Sequence, residues 1–228
     1  MRVNLAVPHL LSATTCSRKT RELEIEHEGE MFGPFWEEIL AQATAAVMIA
    51  VAGLESYANE LFIDHEQIFP ELRVDVVAKL WELYERKPIL DKFELALLLK
   101  QARSFNHGAR PYQDVEALVK LRNGLVHFKP EWFDKQEEHA KLSNLLKPKI
   151  ESSPFVPSGP LFPLAWAGSS CTMWAVRSVI DFISEFERRV GIDRIRQFID
   201  RIRPHVAQRK RQNARKRSTK TVRHCSIK

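Results

Sequence analysis

The spacing of hydrophobic residues predicts one long helix near the start of the chain. Pro34 stands at a favourable position for a helix start, and the apolar pattern continues over about 35–64. Between Ala43 and Leu54 this helix is apolar on nearly every side, so it is expected to be central or shared with another subunit. The apolar run is about a dozen residues, short of the roughly 20 needed to cross a bilayer, and no membrane span is predicted.

Apolar residues at three- and four-residue steps predict the other helices. These cover about 70–84, 90–102, 111–128, 135–146 and 171–190. Lys87-Pro88 separates the first two, and a Pro-rich stretch over about 147–170 is expected to be a long irregular loop. The sequence therefore predicts an all-α fold, an up-and-down bundle of four to five main helices with a long Pro-rich loop before the last long helix.

Charge is distributed unevenly along the chain. Nine of the 35 Lys and Arg residues fall in 207–228, which contains no Asp or Glu, and the remaining 26 nearly balance the 29 acidic residues. Residues 206–228 are therefore predicted to be a basic disordered tail, either solvated or bound to a polyanion. Residues 1–30 are interpreted as a disordered or loosely docked N-terminal arm, which leaves 31–205 as the helical domain.

Cysteine and histidine usage argues against a metal centre or a disulfide framework. The three cysteines, Cys16, Cys171 and Cys225, are widely separated, and no C-x-x-C or H-x3-H spacing occurs. No phosphate-binding loop, dinucleotide fingerprint or serine-hydrolase motif is present. The sequence predicts neither metal nor cofactor, and a reducing cytoplasm is the expected location.

The helix predicted over 111–128 carries the residues with the clearest chemistry. At 100° per residue, Arg122 falls inside the apolar arc of this helix. A guanidinium on such a face is costly unless it is paired or bound to oxygen acceptors. Arg122 is therefore expected to have an acidic partner, a water-filled cleft or a ligand.

His127 follows near the end of the same helix, about 140° from Arg122. It shares a face with Asn123 as an i, i+4 pair, and the three side chains are expected to border one groove. The C-terminal end of a helix favours a cation, which suits His127 for proton transfer. Gly124 is expected to mark a close backbone approach; alternatively, Asn123-Gly124 is a turn that splits the helix.

The segment LRNGLVHF, which contains Arg122 and His127, resembles the R-x4-6-H motif of HEPN domains. The order of helices around it is also similar, from GLESYANELF through PILDKFELALL to WAVRSVIDF, so the resemblance covers roughly 35–190. It implies a HEPN-like bundle, usually a homodimer in which two motif helices meet at a shared cleft. Many members are metal-independent endoribonucleases of toxin or defence systems, and others are inactive binding modules.

In an active member, the resemblance implies that Arg122 holds the scissile phosphate and that His127 moves protons as the RNA 2′-hydroxyl attacks. The expected product is a 2′,3′-cyclic phosphate. The implied partners are RNA, a second copy of the chain and a cognate antitoxin, with no membrane. Glu55 and Asn59, an i, i+4 pair where the long helix first becomes polar, are candidates to orient Arg122 across the bundle.

Other interpretations remain open at this stage. Arg122 and His127 also fit a buried structural ion pair with a helix-capping histidine, and Glu55 and Asn59 fit ordinary polar packing. Trp166 and Trp174 are assigned to loop or core packing rather than to base stacking. The main alternative function is a non-catalytic helical module that binds protein or RNA, and a further one is nucleic-acid binding through the basic tail.

Overall fold

Every regular element in the described residues is helical, as the sequence predicts. The structure is a computed structural model that describes residues 2–132, 137–156, 158–196, 198 and 199. Its helices are α1 (Ala6–Glu26), α2 (Phe35–Ile63), α3 (His65–Ile68), α4 (Val74–Tyr84), α5 (Ile89–Leu99), α6 (Tyr112–Val126), α7 (Glu137–Leu146) and α8 (Ser169–Val190), with one π-helical turn at Leu161–Ala165. The all-α class is confirmed, while a HEPN-like arrangement of these helices stays a prediction.

Helix α2 is the centre of the fold, and α1, α5, α6 and α8 pack around it. Ile39, Val47 and Leu61 are fully buried and lie within one side of α2, the side that packs against these helices. It is the one helix of the described residues that is long and apolar enough to cross a membrane. Of its most apolar 18-residue window, 44% is buried against the rest of the protein, and its length and composition alone are weak evidence of a membrane span.

The N-terminal segment differs from the expected arm. Residues 6–26 form α1, which packs along α2 and α8, so the expectation of a disordered or loosely docked arm is wrong there. Its buried positions recur every three or four residues, but several are small or hydroxylic: Ala6, Leu10, Ala13, Ser17, Thr20 and Leu23. This weakly apolar stripe still packs closely, because Gly53 of α2 has no Cβ and one placed there would lie 3.0 Å from the side chain of Leu10.

The remaining helices follow the predicted pattern, with shifted ends. Pro88 precedes α5 in an extended conformation, which confirms the predicted break. Gly191 ends α8 in the left-handed conformation at φ 74°, where a residue without a Cβ is favoured. The predicted basic tail over 206–228 lies outside the described residues.

The Pro-rich loop between α7 and α8 packs against the helices. The hydroxyl of Ser143 on α7 accepts a hydrogen bond from the backbone N–H of Phe162 at 2.9 Å. It also donates one to the carbonyl oxygen of Phe162 at 3.1 Å. Trp166 is fully buried, and its indole N–H donates to the carbonyl of Pro163 at 3.0 Å. Trp166 is therefore a packing residue, as predicted, and the loop positions Phe162 beside α6 and α7.

A buried polar network joins α2 to the end of α8. The hydroxyl of Tyr57 donates to Oε1 of Glu187 at 2.6 Å, and the backbone N–H of Arg194 donates to the same oxygen at 3.0 Å. Burial raises the pKa of Glu187 above its ordinary value, despite the hydrogen bonds from these two residues. The guanidinium of Arg194 continues the network to Asp64 at 2.6 Å.

Replacing Glu187 with glutamine is expected to change how stability depends on pH. An acid with a raised folded-state pKa stabilises the fold while it is protonated, and loses that contribution as pH rises from the unfolded value of about 4.5 through the folded value. The unfolding free energy of the parent should therefore fall relative to that of Glu187→Gln as pH rises, measured by chemical denaturation.

Glu185→Gln is the control, because the Glu185 carboxyl contributes to the unfolding free energy with the opposite pH dependence. Hydrogen bonds from Arg188 lower the pKa of Glu185, so its contribution is present above about 4.5 and lost as pH falls. Equal pH dependence in the parent and in Glu187→Gln would show that the buried carboxyl does not titrate as described.

Candidate functional site

Helix α6 continues through the Asn123-Gly124 pair to Val126. His127 caps its C-terminal end, and the backbone N–H of His127 donates to the carbonyl of Asn123 at 2.9 Å. The alternative of a turn that splits the helix is therefore wrong. Asn123 and His127 lie on one face of α6 and border the same cleft, as predicted.

This cleft, here called the α6–α7 cleft, has a volume of about 640 Å³. It lies between the exposed face of α6, the helix α7 and the packed loop. The residues that line it are Lys120, Asn123, Gly124, His127, Lys129, Glu131, Glu138, His139, Lys141, Leu142, Leu145 and Phe162. Its size is in the range of pockets that bind small molecules or a short segment of a polymer.

A second histidine of the α6–α7 cleft, His139, did not figure among the predicted site residues. Its ring stacks on Phe128 with centroids 5.3 Å apart and meets the edge of Phe162 at the same distance. Nδ1 of His139 lies 3.5 Å from Oε2 of Glu131, and the same carboxylate accepts the backbone N–H of His139 at 3.3 Å. The two aromatic rings pack against this largely buried imidazole, whose Nδ1 makes no hydrogen bond with a described residue.

The α6–α7 cleft also carries three lysines. Lys120 pairs with Glu116 at 3.0 Å and Lys141 with Glu138 at 2.6 Å. Hydrogen bonding from Lys141 lowers the pKa of the exposed Glu138 carboxyl. Lys129, the third lysine that lines the cleft, makes no ion pair or hydrogen bond with another residue that the structure describes.

Arg122 does not line the α6–α7 cleft, contrary to the expectation that it borders one groove with Asn123 and His127. It projects from the buried side of α6, between the directions of Leu118 and Val115. Its Nε atom is buried and has no hydrogen-bond partner among the described residues. No ion pair joins Arg122 to an acidic residue in the described part of the chain, so the expected acidic partner is not found there.

Glu55 and Asn59 have a different partner from the one expected. The Oδ1 atom of Asn59 accepts a hydrogen bond from Nζ of Lys92 at 2.9 Å, and Oε1 of Glu55 lies 3.5 Å from the same nitrogen. Lys92, on α5, is only 1% exposed and also lies over the ring of Trp81 at 5.3 Å. The two residues stabilise a buried ammonium, and no contact joins either of them to Arg122.

Gly124 marks a close approach between α6 and α7, as predicted. A Cβ at this position would lie 2.8 Å from Cδ2 of Leu142. Gly124→Val is expected to lower the unfolding free energy by about 1–3 kcal/mol, because Leu142 must move within a packed contact. Asn123→Val, at an exposed neighbouring position with the same β-branched side chain, is the control in chemical denaturation. Equal losses in both variants would contradict the close approach.

The titratable groups of the described residues do not form a metal centre. No cluster of three or more His, Cys, Asp or Glu side chains with suitable spacing occurs within the described ranges. Comparison of the chain with protein-family models, with curated proteins and with solved structures gives no match. The fold and the cleft thus define an all-helical protein with two imidazoles and three lysines at one cleft.

Proposed function

We propose that this protein is a metal-independent endoribonuclease whose reaction takes place in the α6–α7 cleft. The observation that carries the proposal is that His127 and His139 line the same cleft, beside Lys129. Cleavage of RNA by its own 2′-hydroxyl needs one group to accept a proton and another to donate one. Two imidazoles supply both within a single chain.

The lining residues divide naturally between these tasks. One imidazole accepts the proton of the attacking 2′-hydroxyl, and the other protonates the 5′ oxygen as its bond to phosphorus breaks. The cation of Lys129 stabilises the negative charge that develops on the phosphoryl oxygens. The products are a 2′,3′-cyclic phosphate and a free 5′-hydroxyl.

The HEPN resemblance adds a role for Arg122 and a second copy of the chain. Its buried Nε atom lacks an acceptor in the described chain, and a phosphate oxygen is the acceptor that a guanidinium fits best. Because Arg122 lies outside the α6–α7 cleft, this role requires a homodimer that brings it to the cleft of the other copy. A toxin or defence effector in the cytoplasm, controlled by an antitoxin, is the corresponding cellular role.

The proposal is tested by incubating the purified protein with single-stranded RNA in excess EDTA. We expect internal cleavage and fragments that end in a 2′,3′-cyclic phosphate, identified by mass spectrometry. Intact RNA, or cleavage only after a divalent cation is added, would contradict it. A substrate with 2′-deoxyribose at every position should remain uncut and serves as the control.

The second candidate is a non-catalytic module that binds RNA or a protein through the same cleft. The position of Arg122 outside the cleft favours it, because the two residues of the R-x4-6-H motif do not meet in one chain. A binding module retains its affinity for the partner in His127→Ala and cleaves nothing.

RNA affinity is expected to depend on Lys129. Each lysine that neutralises a phosphate of a single strand contributes about 0.7 to the slope of log affinity against log salt concentration, and Lys129→Gln should lower the slope by about that amount. Fluorescence anisotropy with labelled RNA measures the slope, using His127→Ala so that the RNA stays intact. Lys79→Gln is the control, because Lys79 is exposed on α4 and already paired with Glu82 at 2.5 Å. An unchanged slope in Lys129→Gln would remove this lysine from the RNA contact.

A further inference from the structure

A second, smaller cavity lies at the other end of α6, where this helix begins. Its volume is about 150 Å³, room for about five water molecules at about 30 Å³ each. Arg110 and Asp114 at the start of α6, Lys149 after α7, and Trp174 and Arg177 on α8 contribute to its wall. None of these residues belongs to the α6–α7 cleft, so the two sites are lined by different side chains.

Two of the cationic side chains of this cavity pair with the same carboxylate. The carboxylate of Asp114 forms one ion pair with Nε of Arg110 at 3.1 Å and another with Nζ of Lys149 at 2.5 Å. Asp114 and Lys149 are largely buried, whereas Arg110 is exposed. Arg110, Lys149 and Arg177 supply three positive charges against the two carboxylates of Asp114 and Asp181. The net formal charge of these side chains in the cavity wall is therefore positive.

Trp174 provides an independent indication that an acceptor is missing. This residue lines the cavity and is only 8% exposed, and its indole Nε1 is buried without a hydrogen-bond partner among the described residues. A buried N–H group normally has an acceptor, because leaving it unpaired costs free energy. Trp166, in contrast, donates its indole N–H to a backbone carbonyl. Trp174 is a packing residue, as predicted, but with an unused donor.

We infer that this cavity binds a small phosphoryl group, as inorganic phosphate or as the phosphate of a mononucleotide. A tetrahedral oxyanion can accept hydrogen bonds from several directions at once, which suits donors that come from the start of α6 and from α8. Guanidinium groups match phosphoryl oxygens in charge and geometry, and the indole N–H of Trp174 supplies a neutral donor. The inference does not rest on the proposed ribonuclease activity, because it concerns another site.

Isothermal titration calorimetry with inorganic phosphate, and separately with adenosine 5′-monophosphate, tests this inference. We expect binding by the parent and an affinity about tenfold lower in Trp174→Phe and in Arg110→Gln, a change of about 1.4 kcal/mol. Trp174→Phe keeps an aromatic ring and loses the N–H donor, while Arg110→Gln changes a side chain that is 70% exposed. Binding of both ligands assigns the site to any phosphoryl group, and binding of the nucleotide alone assigns it to nucleotides.

Matched variants separate this cavity from the α6–α7 cleft. Arg73→Gln removes a guanidinium that is exposed and paired with Asp75 at 2.6 Å, and it should leave the affinity unchanged. Because Lys129 belongs to the α6–α7 cleft, adding Lys129→Gln should not alter the effect of Trp174→Phe or of Arg110→Gln on phosphate affinity, whether or not the protein cleaves RNA. Absence of binding by the parent overturns the inference. So does parent-like affinity in both Trp174→Phe and Arg110→Gln.

Discussion

Replacing His139 with alanine is expected to lower kcat/KM for RNA cleavage by about 10²- to 10⁴-fold, as much as replacing His127. The reason is that each imidazole carries one of two proton transfers, and neither transfer is efficient without a positioned group. The lysines of the α6–α7 cleft remain in both variants, so RNA should still bind. Initial rates measured at several RNA concentrations in EDTA separate the loss of turnover from the loss of binding.

Controls for this prediction come from the chain itself. His107 is exposed, stacks on Tyr112 with centroids 4.0 Å apart and lies outside the cleft, so His107→Ala should cleave RNA like the parent. Because His139 packs between two phenylalanine rings, His139→Gln is prepared beside His139→Ala, and thermal unfolding verifies that each variant folds. Parent-like cleavage by a folded His139 variant would remove this residue from the reaction.

Removing the amide of Asn59 is expected to destabilise the fold by about 2–3 kcal/mol, because its oxygen is the nearest acceptor of the buried Lys92 ammonium. In the double variant Asn59→Ala/Lys92→Met the loss should be smaller than in Asn59→Ala alone, since no buried charge is left without its acceptor. Chemical denaturation of the single and double variants measures the coupling. Glu55→Gln should cost less than Asn59→Ala, because the side chain of Glu55 is 42% exposed and its carboxylate lies 3.5 Å from Nζ of Lys92.

The same variants test the role first expected for Asn59. Equal destabilisation in the single and double variants would mean that Asn59 does not act through Lys92. Loss of RNA cleavage in Asn59→Ala with unchanged stability would restore the idea that it orients Arg122.

Local periodicity predicted the helices because each depends on residues close together in the chain. The apolar residues of α2 and the wide apolar stripe of α8 predicted both helices correctly. The observed ends differ from the predicted ones by no more than a few residues. Helix α1 was missed because its buried stripe is rich in alanine and hydroxyl groups, which carry little hydrophobic signal. The predicted tail lies outside the described residues.

The candidate site depends on contacts between helices, which sequence spacing does not determine. The shared face of Asn123 and His127 and the position of Arg122 on the other, more buried side of α6 followed from one helix and were predicted. His139 was missed because it is a single histidine on a short polar helix, and only the fold places it beside His127. The polar position of Asn59 on α2 was recognised from the sequence, but the residue that Asn59 contacts is Lys92 of α5 rather than Arg122.

The pH dependence of kcat/KM for RNA cleavage tests the central claim most directly, because it reports whether two titrating groups act in the reaction. The account predicts a bell-shaped profile for the parent in EDTA, with one limb lost in His127→Ala and the other lost in His139→Gln. A bell that persists unchanged in a folded His139→Gln variant would contradict the claim that these two histidines form the acid and base of one cleft.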